Sequence, residues 1–140
     1  MITAVTLREG REEDLPVIEA VAQREQLDSR AARPEEYVVV EEDGVLIGFG
    51  RVLDHPDAWE IACMYVSPGR RRKRIGTRIV EALLARTDAE KPVYAVAGAP
   101  EFFTSLGFVP STELPPAIRA KAEYCRKHFD DVCLVMKLER

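Results

Sequence analysis

Apolar positions recur along the chain with two different periods, and the period predicts the type of each element. Strict alternation or a short continuous apolar run predicts a strand, whereas apolar residues three or four positions apart predict a helix. The segments with the strand pattern are 2–8, 36–42, 45–53, 59–66, 93–97, 108–109 and 132–138. The segments with the helical pattern are 12–26, 75–86, 99–106 and 115–128. The predicted order is therefore β-α-β-β-β-α-β-α-β-α-β.

Two of the strand segments indicate how the sheet is built. Asp43-Gly44 separates the second and third segments, and this dipeptide is typical of a tight β-hairpin. The segment 59–66 is apolar at nearly every position except Glu60, as in a central strand that is covered on both faces. Strands and helices that alternate without a linker or repeat predict an α/β or α+β fold with a mixed sheet. We expect a single domain spanning residues 1–140.

Length and composition narrow the class of protein. The chain has 140 residues, of which 46% are hydrophobic and 31% charged, and this is the composition of a globular domain. No apolar run approaches the ~20 residues of a membrane helix, and the N-terminus lacks a signal-peptide pattern. Three cysteines at irregular spacing indicate reduced thiols rather than disulfides or a zinc site. We therefore expect a cytoplasmic protein without a bound metal.

Positive charge is concentrated in one short segment of an acidic chain. The net charge is −4, which argues against a general nucleic-acid binder, yet residues 70–74 are all basic. A basic cluster in an acidic protein is expected to bind a specific anion. The cluster lies between the strand 59–66 and the helix 75–86, and a helix N-terminus offers unpaired N–H groups and partial positive charge. Gly76 would allow the backbone to approach that anion closely.

Two motifs resemble those of the Gcn5-related N-acetyltransferase (GNAT) superfamily. Val66-Ser67-Pro68 followed by Arg71-Arg72-Lys73-Arg74-Ile75-Gly76 resembles the signature V-x-P…[QR]-x-x-G-x-[GA]. Phe102-Phe103-Thr104-Ser105-Leu106-Gly107-Phe108 resembles the F-Y-x-x-L-G-F segment of the same superfamily. The resemblance covers essentially the whole chain. It departs at Arg74, where the signature has its first glycine, so we expect that the loop cannot use a glycine-only conformation there.

The resemblance implies a fold, a co-substrate and a set of binding residues. It implies a mixed, mostly antiparallel central sheet flanked by helices, with splayed central strands that hold the pantetheine arm of acetyl-CoA. It also implies direct transfer of the acetyl group to a primary amine, with backbone groups of 64–66 pairing with the arm and polarising the thioester carbonyl. The residues assigned to the coenzyme are Met64, Tyr65, Val66, Arg71, Arg72, Lys73, Arg74, Ile75, Gly76, Thr77 and Phe103.

Glu60 is the candidate general base. An ionisable group in an otherwise apolar strand needs a reason, and partial burial is expected to raise its pKa towards a value that suits a base. The histone-acetylating branch of the superfamily has a glutamate at the matching position, counted from the Gln/Arg of the signature, which is Arg71 here. The alternative is a glutamate that faces solvent at a strand end or pairs with Arg51.

The general acid stays open between Tyr124 and Ser105. The superfamily often has tyrosine where this chain has Phe103, and phenylalanine cannot donate a proton. A thiolate is also a tolerable leaving group, so a dedicated acid is not required. Neither His55 nor His128 is assigned a catalytic role.

The C-terminal part of the chain bears on the acceptor. Its segments 108–110, 113–116, 124–127 and 132–136 are similar to the ends of bacterial N-acetylglutamate synthases and of arsinothricin N-acetyltransferases. This implies an α-amino acid or a glutamate-like small molecule as the acceptor amine. Because a substrate carboxylate needs a cation and arginine binds it in a bidentate manner, Arg51 and Arg126 are candidates for substrate binding.

Three rival interpretations stay open. The first is a non-catalytic acyl-CoA sensor of the same fold, and the second is a protein lysine or N-terminal acetyltransferase. The third is an RNA-binding or protein-binding module that uses the basic cluster. We expect no nucleic-acid and no membrane partner, and a homodimer through an edge strand is left open.

Overall fold

The computed structural model describes residues 5–70, 74–130 and 133–140. Within these ranges it contains seven strands and four α-helices in the predicted order. The strands are β1 Val5–Glu9, β2 Tyr37–Glu42, β3 Val45–Asp54, β4 Trp59–Val66, β5 Val93–Ala97, β6 Phe108–Pro110 and β7 Leu134–Leu138. The helices are α1 Leu15–Glu25, α2 Ile75–Leu84, α3 Pro100–Thr104 and α4 Pro116–His128.

The predicted bounds agree best in the middle of the chain and differ most at the first helix. Residues Glu12–Asp14 form a separate 3-10 turn before α1. The Asp14 carboxylate accepts a hydrogen bond from the N–H of Arg11 at 2.7 Å and pairs with Arg8, which stabilises that turn. Residues 2–4 and 132 of the predicted terminal strands lie outside the described residues. Within the described part of the chain, no helix is long and apolar enough to cross a membrane.

The seven strands are hydrogen-bonded in the order β1-β2-β3-β4-β5-β7-β6. The pairs β1–β2, β2–β3, β5–β7 and β6–β7 are antiparallel, and β4–β5 is parallel. The recorded β4–β5 register runs from Trp59 opposite Val93 to Ile61 opposite Ala95, although β4 continues to Val66. The sheet is therefore mixed and mostly antiparallel, as predicted.

The chain packs as two compact units. The first comprises Met1–Val52 and Cys63–Arg86, and the second comprises Leu53–Ala62 and Thr87–Arg140. The basic cluster and α2 belong to the first unit, whereas Glu60 and α4 belong to the second. That the whole chain acts as a single domain stays a prediction.

The predicted hairpin of the first unit has a two-residue turn. Glu42 is opposite Val45 in the register, so Asp43 and Gly44 form the loop. Both residues have positive φ, 51° and 79°, which is the backbone of a type I′ turn. This turn type matches the twist of the two strands, and it explains why the Asp-Gly pair predicts the hairpin.

In the first unit, α2 packs closely on β3 because two glycines leave one face of the strand without side chains. A Cβ on Gly50 would lie 2.5 Å from Met64 Sδ and 2.6 Å from Ile79 Cγ2. A Cβ on Gly48, two residues away on the same face, would lie 3.0 Å from the carbonyl oxygen of Tyr65. This close approach sets the position of α2 against β3 and the C-terminal half of β4. The buried side chains of α2 are Ile75, Ile79, Val80 and Leu83.

In the second unit, α4 packs on the sheet through one face. Ile118 of α4 is buried in a core cluster with Ala58, Tyr94 and Val135. The same face of α4 also buries Lys121, at the helical spacing from Ile118 that makes side chains neighbours. Lysine is almost never fully buried unless it is paired. The buried ammonium of Lys121 therefore requires an acidic partner on the surface against which this face of α4 packs.

We expect Gly50→Ala to destabilise the first unit. The added methyl group has no space between Met64 and Ile79, and overpacking of this kind costs about 1–3 kcal/mol in the free energy of unfolding. Urea denaturation measures the difference. Gly69→Ala is the matched control, since nothing lies within 4 Å of its added Cβ. Equal free energies of unfolding in the two variants would show that the contact between β3 and α2 accommodates a methyl group, which would contradict the prediction.

Candidate active site

The N-terminus of α2 has the properties of an anion site. The N–H of Arg78 bonds to the carbonyl oxygen of Arg74 at 3.0 Å, so the N–H groups of Ile75, Gly76 and Thr77 precede the hydrogen-bond ladder of the helix. Such groups, together with the partial positive charge of the helix end, favour a phosphate. The side chain of Ile75 is only 4% exposed, so this residue can offer its backbone but not its side chain to a ligand.

Arg74 corrects one expectation. It precedes α2 with φ 60° and ψ 16°, the left-handed conformation that glycine adopts most readily. Arg74 therefore has a backbone conformation that glycine favours, although it carries a side chain. An exposed arginine at this position adds a cation where the helix begins, at the cost of backbone strain.

The basic cluster is only partly available to an anion. Arg70 donates from Nε to Glu42 Oε1 at 2.6 Å, and this carboxylate neutralises much of its charge. Arg74 is exposed. Arg71, Arg72 and Lys73 lie outside the described residues, so their predicted contacts with the coenzyme stay predictions.

The strand β4 changes its backbone conformation just before the residues assigned to the pantetheine arm. Cys63 has φ 53°, which an L-residue in a regular strand does not adopt. Met64 and Tyr65 follow it, and the Tyr65 hydroxyl lies 3.4 Å from Arg24 Nη2. A residue of this kind interrupts the regular pairing of a strand and redirects its backbone groups. The predicted role of Met64, Tyr65 and Val66 concerns such backbone groups and stays a prediction.

Glu60 is the centre of a buried charged cluster in the second unit. Its carboxylate is 2% exposed. Oε2 accepts a hydrogen bond from Lys121 Nζ at 2.7 Å, and Oε1 lies 2.8 Å from His55 Nε2. Glu60 thus neither faces solvent nor pairs with Arg51, the two alternatives that the sequence left open. The Lys121 side chain is itself only 6% exposed, so the two charges compensate each other away from water.

The charge state of Glu60 differs from the expectation. Burial raises the pKa of its carboxyl, but the hydrogen bond to His55 and the charge of Lys121 lower it by more. The net pKa lies below its ordinary value, whereas the sequence predicted a raised pKa. Burial was foreseen correctly, but the partners that reverse its effect come from a turn and from α4. Glu60 is therefore an ionised carboxylate at neutral pH.

Arg51 has a full set of partners within the first unit. Its guanidinium bonds to Glu36 Oε1 at 2.9 Å and 3.1 Å, and to the carbonyl oxygens of Asp28 at 3.3 Å and Arg30 at 2.8 Å. The residue is 2% exposed. These contacts hold the segment 28–36 against β3. The predicted binding of a substrate carboxylate would require breaking several of them.

The remaining predicted site residues lie on or near α3 and α4. Arg126 is exposed in the last turn of α4. The Tyr124 ring stacks on His128 at 4.4 Å between centroids. Ser105 donates its hydroxyl proton to the carbonyl oxygen of Phe102 at 2.5 Å. The assignment of Tyr124 or Ser105 as the general acid stays a prediction.

Phe103 occupies a core position. It is 6% exposed, and its ring packs edge-on against Phe108 at 5.2 Å and against Phe102 at 5.1 Å. This packing accounts for both phenylalanines of the second motif as structural residues. The predicted contact of Phe103 with the coenzyme stays a prediction.

Sequence reasoning missed His55 and Lys121 as partners of Glu60. A detectable signal existed for Lys121, because its helical spacing places it on the apolar face of α4. His55 precedes Glu60 by five residues, across the turn that joins β3 to β4. Nothing in the linear pattern indicates that this turn folds the imidazole back onto the strand.

Comparison with protein families identifies the class. A model of the acetyltransferase (GNAT) family matches residues 5–108. Because this match covers more than half of the chain, the protein belongs to the acetyltransferase (GNAT) family. The predicted superfamily is thereby confirmed. No curated protein is significantly similar to this chain.

Solved structures with the same fold include proteins with bound coenzyme. One is N-acetylglutamate synthase from Neisseria gonorrhoeae in complex with coenzyme A and N-acetyl-glutamate: 24% identity, TM-score 0.78, covering 100% of this chain and 36% of that one. Another is Rv2747 from Mycobacterium tuberculosis in complex with CoA: 21% identity, TM-score 0.77, covering 96% and 99%. A third is Naa50 from Arabidopsis thaliana in complex with a bisubstrate analogue: 14% identity, TM-score 0.70, covering 97% and 99%. This chain spans about a third of the length of the N. gonorrhoeae enzyme.

We expect Arg74→Gly to stabilise the ligand-free protein. Glycine removes the Cβ from a residue with φ 60°, and relief of such strain gains about 1 kcal/mol in the free energy of unfolding. Arg78→Gly is the matched control, because it removes the same charge from an exposed position within α2, where glycine costs about 1 kcal/mol. Urea denaturation should give opposite signs for the two variants; a loss of stability in both would contradict the strain.

We expect the stability contributed by Glu60 to disappear in acid. A carboxyl whose folded pKa is lowered stabilises the protein above its unfolded pKa, ordinarily 4.5, and loses that contribution as the pH falls through the folded pKa. The free energy of unfolding should therefore differ between wild type and Glu60→Gln most at neutral pH, and this difference should shrink below about pH 4.5. Glu123→Gln, an exposed site on α4, is the control. A difference independent of pH between 3 and 7 would contradict the assigned charge state.

Proposed function

We propose that this protein is an acetyl-CoA-dependent N-acetyltransferase whose acceptor is the primary amine of an amino acid or a similar glutamate-like small molecule. The observation that carries this proposal is the start of α2 in a chain of the GNAT family. There, three N–H groups follow the exposed Arg74, whose own backbone is left-handed. The diphosphate of acetyl-CoA is an anion with the charge and size for such a site.

The residues of the helix start fit the coenzyme by their chemistry. The N-cap residue Arg74 makes no side-chain capping hydrogen bond, so the N–H groups of Ile75, Gly76 and Thr77 in the first turn of α2 would donate to a phosphate. The guanidinium of Arg74 would add a charge-assisted hydrogen bond to a phosphate oxygen. Backbone groups of Met64, Tyr65 and Val66 would hold the pantetheine arm, and an N–H there would polarise the thioester carbonyl.

The transfer itself needs a neutral amine. The sequence analysis selected Glu60 as the base. We assign the removal of the amine proton to the charged cluster that contains Glu60. The amine nitrogen attacks the thioester carbon, the C–N bond forms and the C–S bond breaks, and the thiolate of coenzyme A leaves. Direct attack in a ternary complex requires no covalent intermediate on the protein.

The acceptor is inferred from the C-terminal similarity and from the relatives. The N-acetylglutamate synthase of N. gonorrhoeae was solved with N-acetyl-glutamate, and its coenzyme-bound structure covers this entire chain. A carboxylate-bearing acceptor needs a cation, and Arg51 has its guanidinium occupied. We therefore assign the substrate carboxylate to Arg126, which is exposed at the end of α4.

The proposal predicts a preference among acceptors. Thiol release from acetyl-CoA, followed with a thiol-reactive dye, should be fastest with acidic α-amino acids, slower with polyamines, and slowest with lysine peptides and peptide N-termini. Release that requires peptides would support a protein acetyltransferase instead. Coenzyme binding without release in the presence of any amine would support the acyl-CoA sensor.

Replacement of Arg126 tests the acceptor site separately. We expect Arg126→Gln to raise KM for the amino acid about tenfold to a hundredfold, because a hydrogen bond to a charged group contributes about 1.5–3 kcal/mol. KM for acetyl-CoA should not change. Arg119→Gln, another exposed arginine of α4, is the matched control and should behave as wild type. If KM for the amino acid is unchanged in Arg126→Gln, Arg126 does not bind the substrate carboxylate.

A further inference from the structure

The hydrogen bond between His55 and Glu60 fixes the tautomer of the imidazole. His55 Nε2 lies 2.8 Å from Glu60 Oε1. An ionised carboxylate can only accept hydrogen bonds, so Nε2 must carry the proton that this contact uses. When the ring is neutral, Nδ1 then has a free lone pair. Among the described residues, none bonds to Nδ1, and the His55 side chain is 26% exposed.

Glu60 is poorly placed to accept a proton directly. Oε1 accepts a hydrogen bond from His55 at 2.8 Å, and Oε2 accepts one from Lys121 at 2.7 Å. The side chain is 2% exposed, so an incoming amine would have to displace a partner from a buried carboxylate. Leaving either partner unpaired in such surroundings costs more free energy than the hydrogen bond contributes.

We propose that His55 Nδ1, rather than Glu60, takes the proton from the acceptor amine, and that Glu60 and Lys121 are positioning residues that hold the imidazole in this tautomer. The inference deepens the proposed function and rests on it. A carboxylate that orients a histidine base and stabilises its protonated form is a known arrangement in acyl transfer. Here Lys121 keeps that carboxylate ionised.

The step balances without a further reactant. As the amine nitrogen forms its bond to the thioester carbon, the excess proton on nitrogen moves to His55 Nδ1. The C–S bond breaks, and its electron pair leaves with the coenzyme A sulfur. The imidazolium is stabilised by the Glu60 carboxylate until it returns the proton to solvent.

The backbone around His55 is held in place independently of the ring. Its N–H donates to the carbonyl oxygen of Ala58 at 2.9 Å, and its carbonyl oxygen accepts from Lys91 Nζ. Lys91 also pairs with Asp54. Among the described residues, the charged groups that contact His55 are Glu60 at the ring and Lys91 at the backbone, and each has a further partner, Lys121 and Asp54 respectively, all in the second unit.

Replacement of the ring by an amide tests the proton transfer. His55→Gln keeps a donor for Glu60 but cannot take a proton at neutral pH. We expect kcat to fall about 10²- to 10⁴-fold at pH 7, with KM for acetyl-CoA unchanged. The loss should shrink as the pH rises, because hydroxide can then take the excess proton in place of the imidazole. His128→Gln, at the other histidine of the chain, is the matched control. A wild-type kcat and pH profile in His55→Gln would overturn the proposal.

Two measurements distinguish a missing base from a damaged fold. Added imidazole should restore part of the activity of His55→Ala but none of the activity of Glu60→Gln, because the first variant lacks the base and the second lacks its support. On the wild-type protein, ¹⁵N NMR of the histidine side chains should find neutral His55 with the proton on Nε2. A proton on Nδ1 instead would overturn the proposal even if every variant fails to fold.

The outcomes also separate this inference from the proposed function. If wild type releases thiol with amino acids and His55→Gln matches it, the function stands and the role of His55 falls. If wild type releases no thiol with any amine, the proposed function falls and the proton-transfer role falls with it. The NMR result then shows only whether the predicted tautomer exists.

Discussion

The second unit is organised by one constraint, a carboxylate that is ionised and buried in an apolar strand. Glu60 can be there only because a lysine and a histidine reach it, and each comes from a different element. Burial of an uncompensated charge costs several kcal/mol, so the cluster fixes both the turn before β4 and the rotation of α4 about its axis. The chemistry proposed for this site uses contacts that the fold already needs.

In the first unit, the N-terminal half of α2 lies close to β3 and to the C-terminal end of β4. Gly48 and Gly50 provide the closeness, since their missing side chains let α2 lie against β3. Arg74 then provides the direction, because its left-handed backbone turns the chain into the helix. The exposed side chain of Arg74 adds positive charge at this candidate anion site.

The sequence predicted the element order and the type of sheet, and it singled out Glu60 in the candidate site without its partners. Element order followed from periodicity, and the Asp-Gly turn defined the hairpin, because both signals are local. The class followed from two motifs in the correct order. The position of Glu60 was also predicted, since a charged residue in an apolar run is conspicuous. Its charge state was not, because Lys121 lies 61 positions away in the chain. Arg74 misled for a related reason: propensity disfavours a left-handed arginine, but tertiary packing overrides propensity.

The left-handed Cys63 has a consequence for how β4 is interpreted. In a regular strand, side chains point to opposite faces in turn, so the surroundings of one residue indicate those of every second residue. That repeat ends at Cys63, where the backbone leaves the extended region. The face of the sheet on which the Glu60 side chain lies therefore does not predict the face on which the Met64 side chain lies, although the two residues are an even number of positions apart. β4 is best described as two short strand segments, before and after Cys63, each with its own alternation of side chains.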